Sequence, residues 1–192
     1  SIGSNTLSDV NTVTGAAGRI DSACLFTAAN SEFLRAADNA DLSLGADTAF
    51  TFSAWVYLAS TALISVILSK GSPQDVGNAA GEYSLDHRSA TDAFRLAVKS
   101  AGGTEGTVES PSGVTLNAWH HVVCWHDPTA DTINVQMDGG TIGSTAYSAG
   151  TQDTGLSFLV GARSNAETAV ERFMDGRIDE VGFWKRVLTA SE

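Results

Sequence analysis

The chain has 192 residues, of which 43% are hydrophobic, so it is long enough to bury one substantial core. Its 22 acidic and 11 basic side chains give a formal net charge of −11. This charge argues against nucleic acid and against insertion into, or binding to, an anionic membrane surface, because both attract basic proteins. No apolar run approaches the roughly 18 residues that a membrane span needs.

Residues 1–18 are polar and rich in Gly, Asn and Thr, which predicts an irregular lead-in. After it, apolar and polar side chains alternate, and helical periodicity is nearly absent. In one example, Phe50 and Phe52 fall on one face of a strand, whereas Trp55 and Tyr57 fall on the other. This pattern predicts about twelve half-buried strands, over residues 23–27, 32–36, 50–58, 63–68, 82–87, 94–98, 104–109, 120–126, 133–137, 141–147, 156–160 and 178–184.

The number and spacing of these strands predict the fold class. Many short strands without intervening helices imply an all-β sandwich of two packed antiparallel sheets. Asp138 and Gly139 lie between two alternating runs, where an Asp-Gly pair favours a tight hairpin turn. No linker interrupts the chain, so we expect a single domain over residues 1–192.

The two ends of the chain suggest a segment of a longer polypeptide. The sequence begins at Ser1 without a methionine. Thr189 and Glu192 form a T-x-x-E capping box, in which each residue can bond the other's backbone N–H at the start of a helix. The sequence stops there, so we expect that the domain was cut from a larger protein.

Residue patterns that would mark an enzyme are missing. A retaining glucanase needs two carboxylates about 5 Å apart. Asp179 and Glu180 are adjacent, so a regular strand directs them to opposite faces. The sequence contains neither a Glu-x-Asp-x-x-Glu run nor a Gly-x-Ser-x-Gly elbow. We therefore predict that the chain is not an enzyme.

Cysteine, histidine and aspartate offer possible metal ligands. Cys124 and His126 share a strand face, but a zinc site needs further ligands, which favours a buried cysteine. Cys24 and Cys124 could pair, although two small core thiols are the favoured interpretation. The sequence favours calcium over zinc, because Asp38 and Asp41 lie in a loop that could supply hard oxygen ligands.

Aromatic residues offer a candidate sugar platform, because pyranose rings stack on Trp and Tyr. Trp55 and Tyr57 lie opposite the Phe50 face of their strand and are our candidate carbohydrate-binding residues. The alternative is that loops cover them. The same two possibilities stay open for Trp125 and Trp184.

Three segments, residues 30–57, 117–127 and 173–192, carry a resemblance. Their motifs resemble those of laminin-G-like (LamG) domains of the concanavalin A-like lectin/glucanase superfamily. In chain order, these motifs are F-T-F-S-A-W-V, W-H-H-V and D-G-R-I-D-E-V. The resemblance implies a jelly-roll β-sandwich of two curved antiparallel sheets. It also implies a non-catalytic module that binds glycans or proteins, often with one calcium ion near the rim.

The resemblance also assigns candidate calcium ligands. Asp179 matches the aspartate of the I-D-E ending and is the best single candidate. Asn30 belongs to a turn where the family commonly has Asp-Gly, and its side chain could supply an oxygen. Asp38 and Asp41 match a turn that is often rich in Asp, Asn and Ser.

Together these observations predict a carbohydrate-binding, lectin-like module with calcium as a cofactor. Its expected partners are a glycan or cell-surface polysaccharide and neighbouring domains of a parent polypeptide. Its expected location is extracellular, at a cell surface or on a virion, for example in a phage fibre or adhesin. The alternative is a structural or protein-interaction domain of the same fold without affinity for sugars.

Overall fold

The computed structural model describes residues 5–61, 63–74, 81–111, 113–166 and 169–192, so residues 1–4 of the predicted lead-in lie outside it. These ranges contain one short 3-10 helix, Ala28–Asn30, and no helix long and apolar enough to cross a membrane. The strands are β1 Ser8–Val10, β2 Thr14–Ala17, β3 Ser22–Phe26, β4 Phe33–Ala36, β5 Phe50–Leu58, β6 Ser65–Lys70, β7 Tyr83–Arg88, β8 Ala93–Lys99, β9 Glu105–Glu109, β10 Trp119–Asp127, β11 Thr132–Met137, β12 Gly143–Ala146, β13 Phe158–Val160, β14 Arg163–Ala166, β15 Ala169–Glu171 and β16 Gly176–Trp184.

Fourteen of these strands form two seven-stranded antiparallel sheets. Sheet A has the order β1-β4-β13-β6-β7-β8-β9, and sheet B has the order β12-β11-β10-β5-β16-β3-β2. The remaining two, β14 and β15, form a separate hairpin. Each of the twelve predicted strands overlaps an observed strand, which confirms the predicted sandwich of two antiparallel sheets.

Period-2 alternation sets which face of sheet B meets the core. In β5, Phe50, Phe52 and Val56 are fully buried between the sheets, whereas Trp55 and Tyr57 point away and are half-buried. Burying each large apolar side chain contributes about 1.5–3 kcal/mol. A one-residue slip would exchange the two faces, so the core fixes the register of the sheet.

Sheet A differs from the prediction on its outer face. Alternation in residues 94–98 predicted a half-buried strand, but every residue of β8 is buried. Arg95 is held there by Asp86, whose carboxylate accepts bonds from Nε at 3.1 Å and from Nη2 at 2.7 Å. A buried charge requires such a partner. Both faces of sheet A are therefore covered at β8.

The predicted lead-in contains two short strands and is not irregular throughout. β1 pairs with β4 at the edge of sheet A, and β2 pairs with β3 at the edge of sheet B. Their residues are mostly exposed and show no alternation of apolar and polar side chains. Sequence periodicity therefore gave no signal for them.

The Asp-Gly turn and the two cysteines agree with the sequence interpretation. Asp138 and Gly139 have φ angles of 52° and 67°, as a type I′ hairpin turn between β11 and β12 requires. Cys24 and Cys124 are not bonded to each other. Burial raises the pKa of both thiols, as expected for cysteines that pack as small apolar residues.

Candidate functional site

All four tryptophans of the chain lie on the outer face of sheet B. Trp55 belongs to β5, Trp119 and Trp125 to β10, and Trp184 to β16. These three strands are adjacent, with β5 in the centre. We call this surface, with Tyr57 of β5, the tryptophan face.

One end of the tryptophan face is covered by arginine. The Arg19 guanidinium lies 4.8 Å above the Trp55 ring, and that of Arg177 lies 4.8 Å above the Tyr57 ring. Trp119 packs beside Tyr57, with ring centroids 5.5 Å apart. We call this region, Trp55 and Tyr57 under their arginines, the capped end. The predicted sugar platform is therefore on the expected face but under a cationic cover.

Asp179 holds the turn that carries Arg19. Its Oδ2 accepts bonds from the N–H groups of Arg19 at 2.8 Å and Ile20 at 2.9 Å. Its Oδ1 accepts from the N–H of Glu180 at 2.9 Å. The side chain is buried to 6% exposure, so these bonds satisfy a carboxylate that water scarcely reaches. Asp179 therefore acts on the sugar platform indirectly, by placing the cap on Trp55.

Two of the predicted calcium ligands bond to other side chains. Asp38 pairs with Lys70 at 2.8 Å, and Asn30 Nδ2 donates to Glu32 at 2.9 Å. Asp41 is exposed. Across the described ranges, no three His, Cys, Asp or Glu side chains form a group that could hold a metal ion. Calcium binding by Asp179, Asn30, Asp38 and Asp41 therefore stays a prediction.

The other end of the tryptophan face is an open groove of about 780 Å³. Its floor consists of outward residues of β5 and β10, among them Ser53, Val123 and Trp125. Gln136 and Ile142 border one side, and Trp184 with residues 188–192 borders the other. The groove therefore combines indole rings with hydroxyl and amide groups. We call it the open groove.

Two local features build the Trp184 wall. A β-bulge interrupts the pairing of β16 with β5 between Asp179 and Gly182, and the ring of Trp184 then lies against Gly182. A Cβ at Gly182 would lie only 2.2 Å from that ring, so the glycine provides the space. Thr51 Oγ1 donates to the carbonyl of Arg186 at 2.8 Å and accepts from Leu188 N–H at 3.2 Å, which seats the final segment on β5.

His121 lies at the border between the capped end and the open groove. Its ring centroid is 4.9 Å from that of Trp55, and its Nε2 is 2.9 Å from Ser53 Oγ. Burial lowers the pKa of His121 below its ordinary value of 6.5, and the nearby Asp138 opposes that shift only in part. The lowered pKa favours the uncharged ring, which can exchange hydrogen bonds with Ser53.

Glu192 provides a carboxylate at the rim of the groove. Its Oε2 accepts from the N–H of Thr189 at 3.1 Å, which is one half of the predicted capping box. The Thr189 hydroxyl also donates to Oε2, at 2.9 Å, instead of accepting from a backbone N–H. The hydrogen bonds from Arg186 are the main reason that the pKa of Glu192 falls to about 2. This carboxylate stays ionised at neutral pH.

The sequence pattern indicates this face but does not show which part of it is accessible. The candidate carbohydrate-binding residues Trp55 and Tyr57 lie at the capped end, whereas Trp125 and Trp184, for which the sequence leaves both possibilities open, lie in the open groove. The candidates from the sequence did not include Ser53, His121 or the final segment. Alternation could have placed Ser53 and Trp125 on the outward faces of their strands, but only the pairing of β5 with β10 brings them together.

A family comparison identifies the fold of this site. The model described as "Concanavalin A-like lectin/glucanases superfamily", which represents laminin-G-like domains, matches residues 29–192. This match covers most of the chain. The chain belongs to this family. The predicted resemblance to laminin-G-like domains is confirmed, and the two-sheet sandwich is its jelly roll.

Solved structures of two sugar-bound domains and of a toxin binding domain share this fold. Domain 4 of AbnA, an extracellular arabinanase of Geobacillus stearothermophilus solved with arabinotriose, aligns with a TM-score of 0.70 at 16% identity, over 98% of this chain and 85% of that chain. The CBM40 domain of the Ruminococcus gnavus IT-sialidase, bound to α2,3-sialyllactose, gives a TM-score of 0.62 at 17% identity, over 77% and 80%.

The binding domain of botulinum neurotoxin serotype G gives a TM-score of 0.71 at 11% identity, covering 97% of this chain but only 44% of that chain. This laminin-G-like chain therefore spans less than half of that toxin domain. At such identities the likeness concerns the fold alone. A comparison with curated protein sequences finds no match.

Proposed function

We propose that this laminin-G-like domain is a non-catalytic glycan-binding module and that the open groove is its binding site. The observation that carries the proposal is the position of Trp125, Ser53 and His121 in the floor of the groove, with Trp184 in its wall. Indole rings and hydrogen-bonding groups thus meet in one accessible groove. Its volume of about 780 Å³ is typical of sites for small ligands.

This combination suits the two kinds of surface on a pyranose. The C–H face of the sugar is apolar and packs against an aromatic ring. This contact buries apolar surface on both the sugar and the ring. The sugar hydroxyls then exchange hydrogen bonds with Ser53, Gln136 and Thr189. Neither contact requires a metal ion, so we expect binding through the open groove without calcium.

The groove chemistry supports binding and not hydrolysis. Among the described residues that line it, Glu192 is the only one with a side-chain carboxylate. Glycoside hydrolysis uses one carboxyl group as an acid and a second as base or nucleophile. With a pKa near 2, Glu192 holds no proton to donate at neutral pH.

Charge favours a neutral glycan as the ligand. The chain carries a net charge of −11, and no Lys or Arg is found among the described residues that line the groove. At the rim, Arg186 already pairs with Glu192 at 2.9 Å, so an acidic glycan would have to compete with Glu192 for this cation within a negative overall field. We expect the module to serve a larger secreted, cell-surface or virion protein by attaching it to a neutral polysaccharide.

A second candidate function is protein docking at the same groove. Ile142 is 47% exposed and Trp184 is 36% exposed, and together they give the groove an apolar rim. Exposed apolar surface of this kind also marks protein interfaces. A protein partner could bind through apolar contacts with this rim and would not need the hydroxyl groups of a sugar.

A glycan array tests the two candidates. The wild-type domain and Trp125→Ala are applied to neutral and acidic glycans, with calcium in one series and EDTA in the other. We expect binding to neutral glycans in both series and its loss in Trp125→Ala. Absence of binding to all glycans in both series would exclude the glycan proposal and favour protein docking.

A further inference from the structure

The last residue of β6, Lys70, places its ammonium group inside a cage of oxygen atoms. Its side chain is completely buried. Nζ lies 2.8 Å from Asp38 Oδ1, 2.9 Å from Ser43 Oγ and 2.5 Å from the carbonyl oxygen of Thr154, and it also donates to Glu82 Oε1. These four oxygens come from three separate parts of the chain. We call them the Lys70 cage.

The cage holds three connections together at one place. Glu82 Oε1 also accepts from the N–H and the hydroxyl of Thr154, at 2.6 Å and 2.8 Å. Glu82 Oε2 accepts from the N–H of Leu44 at 3.3 Å. The connection from β4 to β5, the residue before β7 and the segment before β13 are thus joined through Glu82 and Lys70.

The donor atoms of the cage are those of a divalent cation site. Two carboxylates, one hydroxyl and one backbone carbonyl are the hard oxygen ligands that calcium takes in proteins. An ammonium group has three N–H donors, so it cannot give a full hydrogen bond to all four oxygens. A spherical cation contacts every oxygen around it.

The charges of the Lys70 cage also suit a divalent cation. Asp38 and Glu82 together carry two negative charges, and Lys70 supplies one positive charge. A third carboxylate, Asp153, lies 3.8 Å from Nζ. Lys70 lowers the pKa of Asp38, whereas burial raises the pKa of Glu82 despite the same partner. One positive charge therefore leaves the cage under-compensated, and a divalent ion would balance its two close carboxylates.

We propose that the Lys70 ammonium takes the place of a divalent cation, holding the three connections together without metal, and that shortening Lys70 opens a calcium site made of the same oxygens. This inference does not depend on the glycan proposal. It also gives a physical reason why the calcium predicted from the family resemblance would not be needed for the stability of this chain.

The test is the calcium response of Lys70→Ala. We expect this variant to melt below wild type in EDTA and to gain about 4 °C or more in saturating calcium chloride. Wild type should melt at the same temperature in both. Terbium luminescence sensitised by the adjacent Tyr83 should appear in Lys70→Ala and not in wild type.

Three variants keep the result interpretable. Lys70→Met fills the space without a charge, so it should be destabilised and insensitive to calcium. Lys70→Ala/Glu82→Gln should lose the calcium response, because it lacks one of the two close carboxylates. Lys99→Ala removes another buried lysine, whose Nζ lies 3.5 Å from Glu105, and should show no response.

The contradicting outcomes are equally defined. A calcium response of Lys70→Ala no larger than that of wild type would overturn the proposal, as would a fall in the melting temperature of wild type in EDTA. If Lys70→Ala does not fold in EDTA, refolding in calcium chloride replaces the melting experiment. Failure to refold there, with Lys70→Met folded, would also count against the proposal.

Discussion

The capped end and the open groove lie on the same face of the same sheet, yet they differ in what covers their aromatic rings. At the capped end, Arg19 and Arg177 lie over Trp55 and Tyr57. In the open groove, the rings of Trp125 and Trp184 border free space. The residue type is the same, so the neighbours decide which ring a ligand can reach.

The difference shows that an outward tryptophan is not by itself a binding residue. Trp55 is stabilised by a cation–π contact worth about 0.5–1 kcal/mol at an exposed site. A ligand would have to displace Arg19, whose turn is held by the buried carboxylate of Asp179. The open groove requires no such displacement.

The largest expected effect separates the two ends by affinity. Trp125→Ala removes a stacking surface and should weaken glycan binding by about 2 kcal/mol, or roughly thirtyfold. Trp55→Ala should leave the affinity within about twofold but lower the melting temperature, because it removes packing at the capped end. Isothermal titration calorimetry measures the glycan affinity of each variant, and thermal melting measures its stability. Equal losses of affinity would mean that both ends bind the glycan.

The next effect concerns the anchor of the capped end. Asp179→Ala leaves three backbone N–H groups without their acceptor and should cost about 2 kcal/mol of stability, or about 4–8 °C. The loss should be the same in calcium and in EDTA. Asp41→Ala, a variant of another predicted calcium ligand that is exposed, should change stability by less than about 0.5 kcal/mol. A loss seen only in calcium would identify Asp179 as a metal ligand.

A smaller effect is expected for the wall of the open groove. Gly182→Ala places a methyl group against the Trp184 ring and should displace it, which would weaken glycan binding by about five- to tenfold. Gly15→Ala is the matched control, because a Cβ there meets nothing within 4 Å in the same sheet. Unchanged affinity in Gly182→Ala would show that Trp184 takes no part in binding.

Removing the cap should have a modest effect. Arg19→Ala should lower stability by about 0.5–1 kcal/mol and make Trp55 more accessible to acrylamide quenching. Binding in the open groove should not change. A clear gain of glycan affinity would contradict the separation of the two ends, because it would show that the cap competes with the ligand.

The smallest effect is expected from pH. The pKa of His121 is lower in the folded chain than its ordinary value of 6.5, so the unfolded chain binds a proton first as the pH falls. The stabilising contribution of neutral His121 is therefore complete above about pH 6.5 and decreases below it. As the pH falls from about 7.5 to about 5, the melting temperature of His121→Gln should decrease less than that of wild type. Parallel pH profiles would exclude this role.

Local patterns predicted the fold well. Alternation in residues such as Phe50 and Phe52 identified β5 because one face had to be buried, and the same reasoning found every long strand. The short strands β1, β2, β14 and β15 escaped prediction because three or four residues of low periodicity carry little signal. The burial of Arg95 also escaped it, since sequence does not show what covers the outer face of sheet A.

The candidate site was predicted only in part, because it depends on contacts between distant residues. Asp179 meets the N–H of Arg19 across 160 positions of the chain, and this contact determines whether Trp55 is covered. Lys70 meets Thr154 across 84 positions. Only the folded pairing of strands supplies these contacts, so neither the cap nor the Lys70 cage could be derived from spacing.

The most direct test of the open groove uses the four indole N–H signals in a ¹H–¹⁵N spectrum of the domain. Each tryptophan gives one signal, which single substitutions assign. During titration with a neutral glycan that binds on the array, the signals of Trp125 and Trp184 should shift, while those of Trp55 and Trp119 should stay. Shifts confined to Trp55 and Trp119, with Trp125 and Trp184 unchanged, would contradict the assignment of the open groove as the binding site.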